Sequence, residues 1–240
     1  GVLALVSTPS FDTNLFVNGI SSKNYNSLRN SLDLPLFNRS LQGQYPPAST
    51  IKPMMALAGL HYGIVDTNTK VRDPGWWKID GDERLYRDWT WKKQKRGHGT
   101  WVGLEQAIVE SCDTYFYDLA YRMGIDRIHD FMEPFGFGKK TGVDNTSERS
   151  GLLPSRQWKQ IYKRLPWFPG ETLNVGIGQG YLLVTPIQLA VATMAIANKG
   201  RHFKPRLLAA TGGEKVQPIQ LPDIEVSDSD WQSVHTAMKN

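Results

Sequence analysis

Ser49-Thr50-Ile51-Lys52 places a hydroxyl and an amine three residues apart, where a helix is expected to begin. Residues three apart share a helix face, so the Lys52 amine can reach the Ser49 hydroxyl. A serine is a weak nucleophile and needs a base beside it. A lysine can be that base if its surroundings keep part of it neutral. The helix N-terminus adds free backbone N–H groups and partial positive charge near the serine oxygen. Pro53 falls in the first turn, where its missing N–H costs nothing, and Tyr45-Pro46-Pro47-Ala48 stiffens the approach to it. Taken alone, the same letters also describe a Ser or Thr helix cap followed by a surface lysine.

Ser111-Cys112-Asp113 is a second element of the same kind, in a short break between two expected helices. Ser111 can relay a proton between Lys52 and a leaving group, and Asp113 can hold Lys52 or a substrate amide. Ser111 reads equally as another helix cap. Ser-x-x-Lys followed by Ser-Asp-Asn is the signature of serine enzymes acylated by penicillins; here the middle residue is Cys and the third is Asp. Cys112 also opens a metal question. With His98, Asp88 and Asp73 upstream it makes a Cys, His and two-carboxylate set suited to tetrahedral zinc. The long gaps make spacing alone a weak signal, and the bland alternative is a buried free Cys and a satisfied His.

The elements that position these groups read as α+β. The 240 residues are 40% hydrophobic and 21% charged, an ordinary globular composition for one large domain or two small ones. The longest apolar runs, such as residues 2–6, fall far short of the roughly 18 residues of a membrane span. No signal peptide is visible, and the abrupt opening in a strand-like run reads as a cut from something longer. Helices are expected over 49–62, 101–110, 114–123, 126–134, 186–198 and from 227 onward, with residues 2–7 as a strand and 135–175 rich in loops. The expected sheet draws strands from both ends of the chain. The single cysteine rules out a disulfide within the chain. Net charge is +5, a solvated basic surface that would suit an anionic polymer such as the cell wall. Residues 92–96 read as a solvated loop, with no nucleic acid implied. Gly176, Gly178 and Gly180 do not meet the dinucleotide-binding spacing.

Longer segments carry a resemblance. They include Gly-Gln-Tyr-Pro-Pro-Ala-Ser-Thr-Ile-Lys-Pro at 43–53, Asp-Pro-Gly-Trp-Trp at 73–77 and Tyr-Arg-Asp-Trp at 86–89. Glu-Ser-Cys-Asp-Thr-Tyr-Phe-Tyr at 110–117, Glu-Arg-Ser-Gly at 148–151, Val-Gly-Ile-Gly-Gln-Gly-Tyr at 175–181 and Thr-Pro-Ile-Gln at 185–188 extend it over nearly the whole chain. The sequence resembles class B penicillin-binding proteins of the penicillin-binding protein 2 type. The resemblance implies the penicillin-binding/serine β-lactamase-like transpeptidase fold, an antiparallel sheet with helices packed on it, mostly helical in this region. It implies a peptidoglycan D,D-transpeptidase that needs no cofactor for catalysis. Ser49 would attack the penultimate D-alanine carbonyl of a stem peptide with Lys52 as base, and β-lactams would trap the same acyl-enzyme. Some relatives are expected to carry a structural zinc at positions matching Asp73, Asp88, His98 and Cys112. An inner-membrane anchor, a periplasmic catalytic domain and a SEDS-family glycosyltransferase partner in cell elongation are also implied.

Lys140-Thr141-Gly142 matches the letters of the family's third motif but follows no strand, and reads as a decoy. The genuine motif is expected beyond Asn240. Residues 1–240 therefore read as a partial transpeptidase domain, with the anchor, an N-terminal module and the third-motif strand outside it. The alternatives are a β-lactam sensor or silent cell-wall scaffold, or a serine β-lactamase or carboxypeptidase. A β-lactamase needs a deacylating glutamate, and no candidate has the right context.

Overall fold

The structure, a computed structural model, describes residues 1–239. Its first half contains α1 (Ser22–Arg29), α2 (Arg39–Gln42), α3 (Lys52–His61), β1 (Lys70–Asp73), β2 (Trp76–Trp77) and β3 (Tyr86–Arg87). These are followed by α4 (Trp91–Gln94), β4 (Gly99–Gly103), α5 (Leu104–Val109) and α6 (Asp113–Met132). The remainder holds α7 (Arg156–Lys163), α8 (Pro169–Gly176), α9 (Pro186–Ala197), β5 (Ala210–Thr211), β6 (Glu214–Lys215) and α10 (Asp228–Ala237). No helix among the described residues is long and apolar enough to cross a membrane.

α3 is the centre of the packing. Met54, Met55, Ala56, Leu57 and Ala58 are all fully buried, so the helix has no solvent face over these residues. That is the character of a core helix, not an amphipathic surface one. α5, α6 and α10 pack around it. Burying a Leu or Met side chain is worth about 1.5–3 kcal/mol, and the sum fixes α3 and the turn that leads into it. α8 lies along α6. α9 starts with a reciprocal cap: Gln188 Oε1 accepts the Thr185 N–H at 2.8 Å, and the Thr185 hydroxyl accepts the Gln188 N–H at 3.3 Å.

Several expectations shift. The 49–62 helix begins with a 3-10 turn over Ala48–Ile51 before α3 proper. The 101–110 helix starts only at Leu104, because residues 99–103 are taken up in the β1–β4 ladder. The helices expected at 114–123 and 126–134 form one run, broken at Gly124 with φ +76°. Residues 2–7 do not form a strand. The Val2 N–H donates to the Arg206 carbonyl at 2.7 Å and the Ser40 hydroxyl to the Val6 carbonyl at 2.6 Å, but no neighbouring strand among the described residues continues the ladder. The described strands form three antiparallel pairs, β1–β4, β2–β3 and β5–β6, none joining the two ends of the chain. α7 and α8 occupy part of the stretch expected to be loop. The inward residue of α7 is a lysine: Lys159 is 1% exposed, pairs with Glu171 Oε2 at 2.6 Å and lies 4.3 Å from the centre of the Phe168 ring.

Candidate active site

The turn that carries Ser49 is held by backbone contacts. Ala48 sits at φ +52°, and its N–H donates to the Gly178 carbonyl at 2.8 Å. Gly178 is itself at φ +73°, and a Cβ there would overlap the Ala48 carbonyl. Only glycine permits this approach. The Thr50 hydroxyl closes the turn onto the Pro47 carbonyl at 2.6 Å. Ser49 is half-buried, and its hydroxyl makes no hydrogen bond among the described residues.

Lys52, one turn on, is 1% exposed. Its ammonium donates to Asp113 Oδ1 at 2.6 Å, to the Ser111 carbonyl at 2.7 Å and to Ser111 Oγ at 3.1 Å. The Phe116 ring closes a further side, 5.3 Å away. Ser111 adopts φ +55°, uncommon for a residue with a Cβ, and this turns both its carbonyl and hydroxyl onto Lys52. Burial pushes the Asp113 carboxyl above the usual carboxylate range, against the pull of Lys52. The structure thus gathers Lys52, Ser111 and Asp113 directly, and Ser49, one turn before Lys52, has a hydroxyl that none of them hydrogen-bonds. Such an arrangement can serve a serine nucleophile with a lysine–serine proton path.

The four metal-ligand candidates also converge. Asp73 ends β1 at a register shift, Asp88 follows β3, His98 precedes β4, and Cys112 is the N-cap of α6. One ligand atom from each lies within 4.8 Å of every other. His98 Nε2 is 3.1 Å from Asp88 Oδ1, and Cys112 Sγ is 3.4 Å from Asp73 Oδ2. Tetrahedral zinc with ordinary bond lengths puts its donor atoms about 3.3–3.8 Å apart, so the set fits if its widest pairs close by up to about 1 Å. Backbone groups aim the carboxylates: the Gly75 and His98 N–H groups donate to the two oxygens of Asp73 at 2.8 and 2.7 Å. Gly97 has no side chain because a Cβ would overlap that carboxylate. Burial pushes the Cys112 thiol up, and the Asp73 and Asp88 carboxylates push it further. Burial also opposes ionisation of Asp88, but the Thr90 N–H, His98 and the Thr90 hydroxyl outweigh it and hold the carboxyl low. Without a cation the thiol stays protonated and donates to Asp73; a thiolate facing two carboxylates would need a cation between them, and the donor set suits one.

The two groups share a wall. Cys112 gives α6 no side-chain cap. Asp88 Oδ2 takes that place, accepting the Asp113 N–H at 2.7 Å and the Thr114 N–H at 3.3 Å. The next residue, Trp89, donates its N–H to Asp113 Oδ2 at 3.2 Å.

Residues 1–240 match, along their whole length, the family described as the penicillin binding protein transpeptidase domain. The chain belongs to that family. It is 51% identical over 242 residues to the peptidoglycan D,D-transpeptidase MrdA of Acinetobacter baumannii, covering 99% of this chain and 35% of that one. It superposes on Pseudomonas aeruginosa PBP2, solved in complex with WCK 5153, with a TM-score of 0.89 and 50% identity, covering 97% of this chain and 52% of that one. Helicobacter pylori PBP2, solved in complex with MreC, gives a TM-score of 0.83 at 31% identity, covering 97% and 41%. The chain spans about a third of the curated relative and about half of the first solved chain. The fold of this penicillin-binding protein domain is the α+β transpeptidase fold, with the helices prominent and the strands in small antiparallel pairs.

Within the domain, Lys140-Thr141-Gly142 is a structural anchor. Glu148, 4% exposed, accepts the Thr141 N–H and hydroxyl at 2.6 Å each and the Gly142 N–H at 3.0 Å, and no strand precedes it. Sequence reading missed the capping role of Asp88 and the contact of Glu110 with His98. The only available signal for Glu110 was its place directly before Ser111-Cys112-Asp113.

Proposed function

We propose that this domain belongs to a peptidoglycan D,D-transpeptidase and that Ser49 is its acylated nucleophile. The observation that carries this reading is the clamp of Lys52 between Ser111 and Asp113, one turn from a serine whose hydroxyl is free. In the proposed reaction the Ser49 oxygen attacks the penultimate D-alanine carbonyl of a stem peptide, and Lys52 takes the hydroxyl proton. The contacts of the Lys52 amine with Asp113 at 2.6 Å and with Ser111 hold it in place for that transfer. Ser111, 3.1 Å from Lys52, passes a proton to the departing D-alanine amine, and an amine from a neighbouring strand then takes the acyl group. The Ser49 N–H supplies one oxyanion donor. A β-lactam opened by Ser49 gives an acyl-enzyme at the same atom. The residues 1–240 are read as part of the transpeptidase domain of a longer, membrane-anchored protein that works in the periplasm. The MreC complex of the Helicobacter pylori relative supports a partner of that kind, and the family resemblance implies a SEDS-family glycosyltransferase as another.

Asp73, Asp88, His98 and Cys112 are proposed to hold a structural zinc, which when bound supplies positive charge that offsets the buried thiolate and carboxylates. The four side chains tie the loops before and after β3 to the start of α6.

The test incubates the full-length protein with a labelled penicillin and reads the adduct by mass spectrometry. The expected result is a stable adduct on Ser49 that Ser49→Ala abolishes. No adduct on the intact protein ends the reading. Rapid turnover of the label shifts it to a β-lactamase.

A further inference from the structure

Glu110 lies outside the four-residue cluster and still touches it. It ends α5, and its Oε2 is 3.0 Å from His98 Nδ1. The other ring nitrogen of His98 faces the cluster, 3.1 Å from Asp88 Oδ1. Gln106, one turn earlier on α5, donates from Nε2 to Glu110 Oε1 and to the His98 carbonyl, each at 3.3 Å. The imidazole is therefore gripped at both edges, and its side chain is 4% exposed although that of Glu110 is 43% exposed.

The arrangement has a chemical consequence. An imidazole nitrogen that ligates a metal carries no proton, so in the neutral ring the other nitrogen must carry it. With Nε2 aimed at the cluster, the proton sits on Nδ1 and points at a carboxylate. A carboxylate there fixes the tautomer, holds the ring orientation and makes the ligating nitrogen more basic. We infer that Glu110 is a positioning residue for metal binding: it locks His98 in its Nδ1–H form and presents Nε2 to Asp73, Asp88 and Cys112. Gln106 steadies Glu110 in turn and ties the carboxylate to the His98 backbone. This inference rests on the zinc reading above and adds a fifth side chain to it.

The experiment uses the untagged full-length protein, zinc competition against a chromophoric chelator, and the melting temperature of zinc-loaded and zinc-free samples. Wild type, Glu110→Ala and Glu110→Gln are compared. The expected result is zinc binding by wild type and affinity about 10–100-fold weaker for Glu110→Ala. Glu110→Gln keeps an acceptor oxygen for Nδ1–H and loses less. The zinc-free melting temperatures of all three coincide, because Glu110 acts through the metal. Wild-type affinity in Glu110→Ala overturns the inference and leaves the zinc site standing. An equal loss of melting temperature with and without zinc also overturns it, since Glu110 would then support the fold alone. A wild-type protein that binds no zinc removes the zinc reading and this inference with it.

Discussion

One carboxylate of Asp88 serves two clients: Oδ1 faces His98 at 3.1 Å, and Oδ2 accepts the backbone N–H of Asp113 at 2.7 Å. Asp113 in turn holds Lys52 at 2.6 Å. The candidate metal cluster and the candidate base are thus two hydrogen bonds apart, joined through the first turn of α6.

Asp88→Ala should therefore cost more than loss of metal. It removes a proposed ligand and the side-chain cap of α6, whereas His98→Ala removes a proposed ligand and leaves the cap. Cap loss is worth about 0.5–2 kcal/mol. Denaturant melts of the zinc-free variants should place Asp88→Ala below His98→Ala by that margin, with slower penicillin acylation. Equal stability of the two would show that Asp88 does not cap α6.

Lys52→Met should destabilise the domain by about 3–5 kcal/mol, because it leaves Asp113 buried and without its ion partner. Lys52→Met with Asp113→Leu should recover more than half of that loss. Neither variant should form the penicillin adduct. Urea denaturation reads the first effect and mass spectrometry the second, so stability and chemistry separate in one pair of variants.

The start of this site was legible in the sequence, and its walls were not. Ser49 and Lys52 were readable because i,i+3 spacing on a helix forces proximity. Asp73, Asp88, His98 and Cys112 were readable only as a set of types, since successive chain gaps of ten to fifteen residues carry no geometric constraint. Their convergence depends on the short β1–β4 and β2–β3 pairs, whose two- to five-residue strands are too brief to show a period-2 pattern. α7 escaped notice for a different reason. Its pattern was present, since Trp158, Ile161 and Tyr162 stand at i, i+3 and i+4, but it is inverted: Ile161 and Tyr162 are exposed while Lys159 is buried against Glu171.

Chelation should lower the melting temperature of the purified protein, and added zinc should restore it. His98→Ala should melt at the chelated value and ignore the chelator. A wild-type melt unmoved by chelator would argue that the cluster is held by its hydrogen bonds alone.

Asp144 offers a pH test away from the site. Its oxygens accept the Leu207 and Leu208 N–H groups at 2.6 and 2.8 Å, and these bonds hold its carboxyl below the usual range. Since the folded value is the lower one, the tie contributes fully above the unfolded pKa of about 3.9 and is lost as pH falls through the folded pKa. The melting-temperature gap between wild type and Asp144→Ala should be constant from pH 7 to 5 and close below about pH 4. A gap that persists at low pH would assign the effect to something other than ionisation.

With the proposed acylation at Ser49, the contact between Gly178 and Ala48 bears on how the protein can change under drug pressure. Every side chain at position 178 would push into the peptide that leads to Ser49, so escape from an acylating inhibitor is closed at that position. Thr50 is tied down by its hydroxyl bond to the Pro47 carbonyl, whereas the exposed neighbour Gln179 carries no such restriction. Resistance substitutions near the serine should collect there, on the rim, while the glycine behind it stays fixed.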